Sequence, residues 1–286
     1  MELLVSTIGL AEEIGRTGEL GASDLRIVDA TYFLPETGRD AAAEYEAGHI
    51  PGALYLNLTE LVDPTSPLPN TLPTAEAFAS RMEALGLGEG SRIILYDNSP
   101  HRTAARAWWM FNLFGARDVV ILDGGFAKWL AEGRAVEGGK TTMPHRHFTV
   151  ARNDSLYRSK DQVGQAIRTG SAQIVDARGA SRFTGEEPEV RIGLVSGHMP
   201  GARNIPYSRF FHADGTWKRG DELKALFGDE GIDLDKPVIT TCGSGITAAV
   251  VSFGAAVLGA KDVALYDGSW SEWGADPALP KATGPA

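Results

Sequence analysis

The run IILYDNSPHRTAARAWWMFNLFGARDVVILDGGFAKW, residues 93–129, returns later as VITTCGSGITAAVVSFGAAVLGAKDVALYDGSWSEW, residues 238–273. One gap-free offset pairs Thr103 with Thr247, Gly115 with Gly259, Asp118 with Asp262, Asp123 with Asp267 and Trp129 with Trp273. Upstream, RIVDA (26–30) pairs with QIVDA (173–177), and AGHIPGALYLN (47–57) with SGHMPGARNIP (196–206). The order is the same in both halves. A repeat this long is a duplicated domain of roughly 130 residues, not a short-period solenoid.

Each half alternates short apolar runs with longer helical ones. IILY, VVILD, IVDA, VIT and VALYD suit strands buried on both faces of a parallel sheet. TAARAWWMFNLFG and ITAAVVSFGAAVLGA are long enough for helices, and each ends at a glycine suited to the position just past a helix. Strand, loop, helix, strand is βαβ order. The sequence predicts an α/β chain of two tandem domains, each a mostly parallel central sheet flanked by helices. The expected boundaries are 1–140, a linker at 141–156 that contains Pro144, His145 and His147, and 157–286. The KATGPA tail is expected to fray.

The single cysteine, Cys242, lies between a strand (KPVITT) and a helix. Ligands of open α/β sheets bind outside the carboxyl ends of the strands, where this loop falls. Gly243 and Gly245 allow backbone angles that let successive N–H groups converge into an anion-binding nest. The helix N-terminus adds positive potential, which favours the reactive thiolate. Ser244 and Thr247 offer hydroxyl donors. The same offset places Asn98 opposite Cys242, so only the second half carries a nucleophile. A free thiol is often just a small buried hydrophobe. The Gly-Ser-Gly setting and the Asn98 counterpart favour chemistry.

The net charge of −10 argues against a nucleic-acid or anionic-membrane partner. One cysteine forms neither an internal disulfide nor a cysteine metal site, which fits a reducing compartment and a cytoplasmic location. No run approaches the roughly 18 apolar residues of a membrane span.

CGSGITA after a strand, in the second of two duplicated α/β domains, resembles the tandem rhodanese-domain sulfurtransferases. Within them it is similar to the loop of the 3-mercaptopyruvate sulfurtransferases; thiosulfate-preferring rhodaneses carry basic residues directly after the cysteine. GRDAAAEYEAGHIPGA (38–53), TSPL (65–68), RAWWMF (106–111), EPEVRIG (187–193), GHMPGA (197–202) and YDGSWSEW (266–273) match family landmarks. The resemblance implies that Cys242 takes sulfur from 3-mercaptopyruvate, releases pyruvate and passes the sulfur to a thiol, such as thioredoxin, or to cyanide, without a cofactor. It implies that Arg182 and Arg191 bind the substrate carboxylate and carbonyl, and that Gly243, Gly245, Ile246 and Thr247 line the substrate. Arg178 is expected in a structural ion pair instead. Relatives often carry an Asp and a His in the first domain, proposed to join the loop Ser in a proton relay. Here Thr59 and Asn70 stand at those positions, and neither is a base at neutral pH. Ser244 is therefore expected to act as a hydrogen-bond donor. Three other functions compete. A thiosulfate:cyanide sulfurtransferase and a non-catalytic persulfide carrier keep the same cysteine. A cysteine phosphatase needs an Arg at the loop's end, but position 248 is Ala and no Arg follows before 260.

Overall fold

Ile27–Asp29, Ile93–Tyr96, Ile174–Asp176 and Val238–Thr241 are buried throughout, as central strands covered by helices on both faces must be. The computed structural model describes residues 2–17, 24–189, 191 and 193–286. Val190 and Ile192 of the EPEVRIG stretch lie outside the described residues. The first sheet contains β1 (Leu4–Val5), β2 (Asp24–Asp29), β3 (Leu54–Tyr55), β4 (Ser91–Tyr96) and β5 (Asp118–Leu122), in the order β1-β5-β4-β2-β3. Its helices are α1 (Thr7–Gly15), α2 (Ala41–Ala47), α3 (Ala75–Ala84), α4 (Ala104–Leu113) and α5 (Gly125–Ala131). The second sheet contains β6 (Tyr157–Arg158), β7 (Gln173–Asp176), β8 (Arg203–Asn204), β9 (Val238–Thr241) and β10 (Val263–Tyr266), in the order β6-β10-β9-β7-β8. With it go α6 (Lys160–Thr169), α7 (Ala180–Thr184), α8 (Gly220–Gly228), α9 (Ala248–Val257) and α10 (Ser269–Trp273). Neighbouring strands pair parallel throughout both sheets, as the duplicated α/β pattern predicts.

The chain falls into two units, and each takes a segment from the other half of the sequence. The first holds Met1–Val62, Pro73–Asn153 and His212–Trp217; the second holds Asp63–Leu72, Asp154–Phe211 and Lys218–Ala286. In each unit the aspartate after the last long strand receives the borrowed segment. Asp123 accepts the Trp217 N–H at 2.8 Å, and Asp267 accepts the Leu72 N–H at 2.8 Å. A buried N–H needs such an acceptor, because leaving it unpaired costs roughly 1–3 kcal/mol.

The two helices of the repeat end where their glycines predict. Gly115 and Gly259 follow α4 and α9 with φ of 98° and 83°. Helix α9 is buried on all sides from Ala248 to Ala255. Val250, Val251 and Phe253 each contribute roughly 2 kcal/mol by leaving water. Its small residues permit close packing: a Cβ on Gly254 would stand 2.5 Å from the Phe210 ring. The C-terminal tail is tied down rather than frayed. His198 and Ala282 exchange two backbone hydrogen bonds, and the Gly284 N–H donates to the Thr184 carbonyl at 2.8 Å. Backbone pairing of this kind leaves no trace in the tail's own composition.

Candidate active site

Cys242 is the first residue beyond β9 and is 2% exposed. Its neighbours from the β10–α10 turn fix the root of the loop. The Cys242 N–H donates to Ser269 Oγ at 3.2 Å, and its carbonyl accepts the Trp270 N–H at 3.0 Å. The Gly243 carbonyl accepts both the Ser271 N–H, at 2.9 Å, and the Ser271 hydroxyl, at 2.7 Å. Ser269 pays for its place with a left-handed φ of 50°, held by its hydroxyl donating to the Tyr266 carbonyl. Gly245 turns the loop with φ of 79°, a conformation that disfavours any side chain. Among the described residues the N–H groups of Gly243, Ser244 and Ile246 have no protein acceptor. Ser244 and Ile246 are buried; Thr247 is half-buried at the N-cap of α9 and makes no side-chain cap bond.

The first unit shows what such a loop does with an anion. Ala30 and Ala177 donate equivalent N–H bonds, each 2.8 Å, to the carbonyls of Tyr96 and Thr241. Phe126 and Trp270 donate equivalent bonds, each 3.0 Å, to Asp97 and Cys242. The sheet registers agree, pairing Asp29 with Tyr96 and Asp176 with Thr241. The counterpart of Cys242 is therefore Asp97, not the expected Asn98. The first loop, 98–103, is one residue longer than 243–247, and a gap-free offset misplaces the residues before the insertion. Asp97 is buried, and its carboxylate accepts the N–H groups of Ser99, at 2.9 Å, and Ala104, at 2.8 Å. Burial raises its pKa, while Arg102 and these two N–H groups oppose the rise.

Three arginines surround the second loop. Arg178 is sealed in a network: it forks onto Asp176, reaches Glu189 at 2.8 Å and stacks over the Trp270 ring at 4.7 Å. That is the structural ion pair expected of it. Arg182 donates to Glu189 at 2.6 Å, and its guanidinium lies 3.6 Å from where a Gly243 Cβ would stand. Arg191 forms no ion pair among the described residues; it donates to Ser271 Oγ at 2.5 Å, and so connects with the Gly243 carbonyl. Arg191 is thus linked through Ser271 to the loop of Cys242, Gly243 and Ser244, and Arg182 lies beside Gly243. Asn70, on the borrowed segment 63–72, donates from Nδ2 to Ser244 Oγ at 3.0 Å. Thr59 belongs to the first unit, where its hydroxyl donates to Asn57 Oδ1 at 2.7 Å. Glu189, Ser269 and Ser271 were not singled out by sequence. The last two lie within YDGSWSEW, a stretch repeated between the halves as DGGFAKW, and that repetition was the available signal.

The described helices include none long and apolar enough to cross a membrane. The rhodanese-like domain pattern matches residues 18–132 and again 159–276. The 3-mercaptopyruvate sulfurtransferase of Escherichia coli (strain K12) is 43% identical over 258 residues, covering 90% of this chain and 92% of that protein. The thiosulfate sulfurtransferase of Cricetulus griseus is 41% identical over 273 residues, covering 94% and 91%. The crystal structure of SseA from Escherichia coli, described with the catalytic mechanism of 3-mercaptopyruvate sulfotransferases, superposes with a TM-score of 0.85 at 40% identity, covering 95% of this chain and all of that one. Two matched domains and identities near 40% along most of the sequence make this chain a member of the rhodanese family.

Proposed function

We propose that the protein is a 3-mercaptopyruvate sulfurtransferase working through Cys242. The Cys242 thiolate attacks the substrate's sulfur. The S–S bond forms as the C–S bond breaks, and the electron pair moves onto carbon as the enolate of pyruvate, which then takes a proton. The outer sulfur stays on Cys242 as a persulfide. An acceptor thiolate, such as that of thioredoxin, or cyanide attacks that sulfur and returns Cys242 as thiolate. Two half-reactions on one nucleophile give ping-pong kinetics. Arg191 and Arg182 hold the carboxylate and carbonyl, with Ser244 and the loop N–H groups of Gly243, Gly245, Ile246 and Thr247 as donors to developing charge. A lone cysteine suits a reducing setting such as the cytoplasm.

Identity alone does not separate the two sulfur donors, since relatives named for each stand at 43% and 41%. The observation that carries the choice is a loop without cations, 243–247, beside an arginine that has no ion pair among the described residues, Arg191. One guanidinium matches the single carboxylate of 3-mercaptopyruvate, whereas the thiosulfate dianion favours cations within the loop. The similarity to thiosulfate sulfurtransferases supports thiosulfate as the second reading. Steady-state kcat/KM with each donor and a small thiol acceptor decides between them. We expect pyruvate release with 3-mercaptopyruvate at the higher kcat/KM; a higher value for thiosulfate overturns the choice.

A further inference from the structure

Ser244 is 6% exposed, and its hydroxyl accepts from Asn70 Nδ2. The carboxamide nitrogen of Asn70 faces the hydroxyl, and a carboxamide nitrogen only donates. The Ser244 hydrogen then has no protein acceptor among the described residues. A buried hydroxyl whose lone pair is engaged and whose hydrogen is unengaged is set to donate to a ligand. The segment that brings Asn70 here is built for the task. Asn70 has a left-handed φ of 59°, which Asn tolerates better than most residues, and two positions on the Leu72 N–H is anchored to Asp267.

We infer that Asn70 is a positioning residue: its amide holds Ser244 as an outward donor, and it does so without titrating. This inference rests on the sulfurtransferase reading, with the Ser244 hydrogen directed at the substrate oxygen or the transferring sulfur. A carboxylate at position 70 accepts only, so it turns the Ser244 hydrogen toward itself and away from the ligand.

The test measures the single-turnover rate of sulfur loading from 3-mercaptopyruvate in the full chain. Asn70→Gly keeps the left-handed backbone and removes the donor; Asn70→Asp keeps the shape and reverses the bond. Losing a neutral hydrogen bond corresponds to about a fivefold drop, and losing the donor to a charged partner to about a fiftyfold drop. We expect the order wild type, N70G, N70D at pH 8. As the pH falls through the titration of the introduced carboxyl, N70D closes on N70G, while the ratio of wild type to N70G stays flat. In an S244A background the two Asn70 variants become equal to their parent. An N70D rate at or above that of N70G at pH 8, or the same losses without Ser244, overturns the inference. Should N70D fail to fold, the N70G/S244A cycle decides alone. Absence of loading in the wild type is a different result: it removes the sulfurtransferase reading itself.

Discussion

The loop after β4 and the loop after β9 leave equivalent points of two equivalent sheets, and they differ in what they hold. In the first, the Asp97 carboxylate fills the position and takes one N–H of its own loop, from Ser99, and one from the first residue of α4, Ala104. In the second, a thiol takes that position, and among the described residues the N–H groups of Gly243, Ser244 and Ile246 have no protein acceptor. The same scaffold is closed on a built-in carboxyl group in one unit, while among the described residues the other leaves these loop donors without an acceptor beside Cys242. The ends of the neighbouring strands, β2 and β7, differ as well. Asp176 is matched by the buried Arg178, whereas its counterpart Asp29 has Thr31 as its side-chain and backbone donor, and burial pushes its carboxyl up to about 6.

The largest effect expected from this contrast comes from the paired substitutions Cys242→Ser and Asp97→Asn. C242S should reduce sulfur transfer by at least about 1,000-fold, the scale of losing a nucleophile. D97N should leave the single-turnover rate within about twofold and lower thermal stability instead. A comparable loss of rate in D97N breaks the comparison. Next is Arg191→Ala, which on the proposed role removes a charge-assisted bond to the substrate carboxylate. We expect KM for 3-mercaptopyruvate to rise about 50-fold, consistent with about 2.3 kcal/mol, while thermal stability stays unchanged. Ser244→Ala should slow turnover about tenfold yet leave the persulfide detectable by mass; complete loss of persulfide contradicts the donor role.

Two further effects concern stability rather than rate. Asp176→Asn uncovers Arg178 and should cost about 3 kcal/mol in denaturant unfolding. Asp29→Asn should act in the opposite sense above pH 6. A carboxyl whose pKa is raised on folding stabilises the native state fully at pH below about 4, and that contribution fades as pH rises through about 6. The rise corresponds to roughly 3 kcal/mol, offset in part by the bonds to Thr31, so D29N should gain about 1 kcal/mol at pH 8 and nothing at pH 4. Equal effects of the two substitutions at pH 8 remove the distinction between the paired and unpaired carboxylates.

Much of this was legible in the sequence because it is local. Strand runs, helix-ending glycines and the Cys-Gly-Ser-Gly turn each follow from neighbouring residues, and the repeat fixes the order of elements. Arg182 and Arg191 came from the family resemblance, and the structure brings both to the loop. What was not legible depends on distance along the chain or on a gap. A one-residue insertion hid Asp97 behind Asn98. Nothing in the composition of DPTSPLPNTL signals that residues 63–72 belong to the second unit; only the family resemblance pointed from Asn70 to Ser244, 174 positions away. Glu189, which joins Arg178 to Arg182, carries no local mark that sets it apart from Glu186 and Glu187.

The central claim is that Cys242 accepts a sulfur atom where the first unit keeps a carboxylate. Intact mass of the full chain after mixing with 3-mercaptopyruvate, followed by peptide mapping, tests it most directly. We expect a gain of one sulfur located on Cys242, together with one pyruvate released per chain and no gain in C242S. Pyruvate release without sulfur on Cys242, or an unchanged mass, contradicts the account.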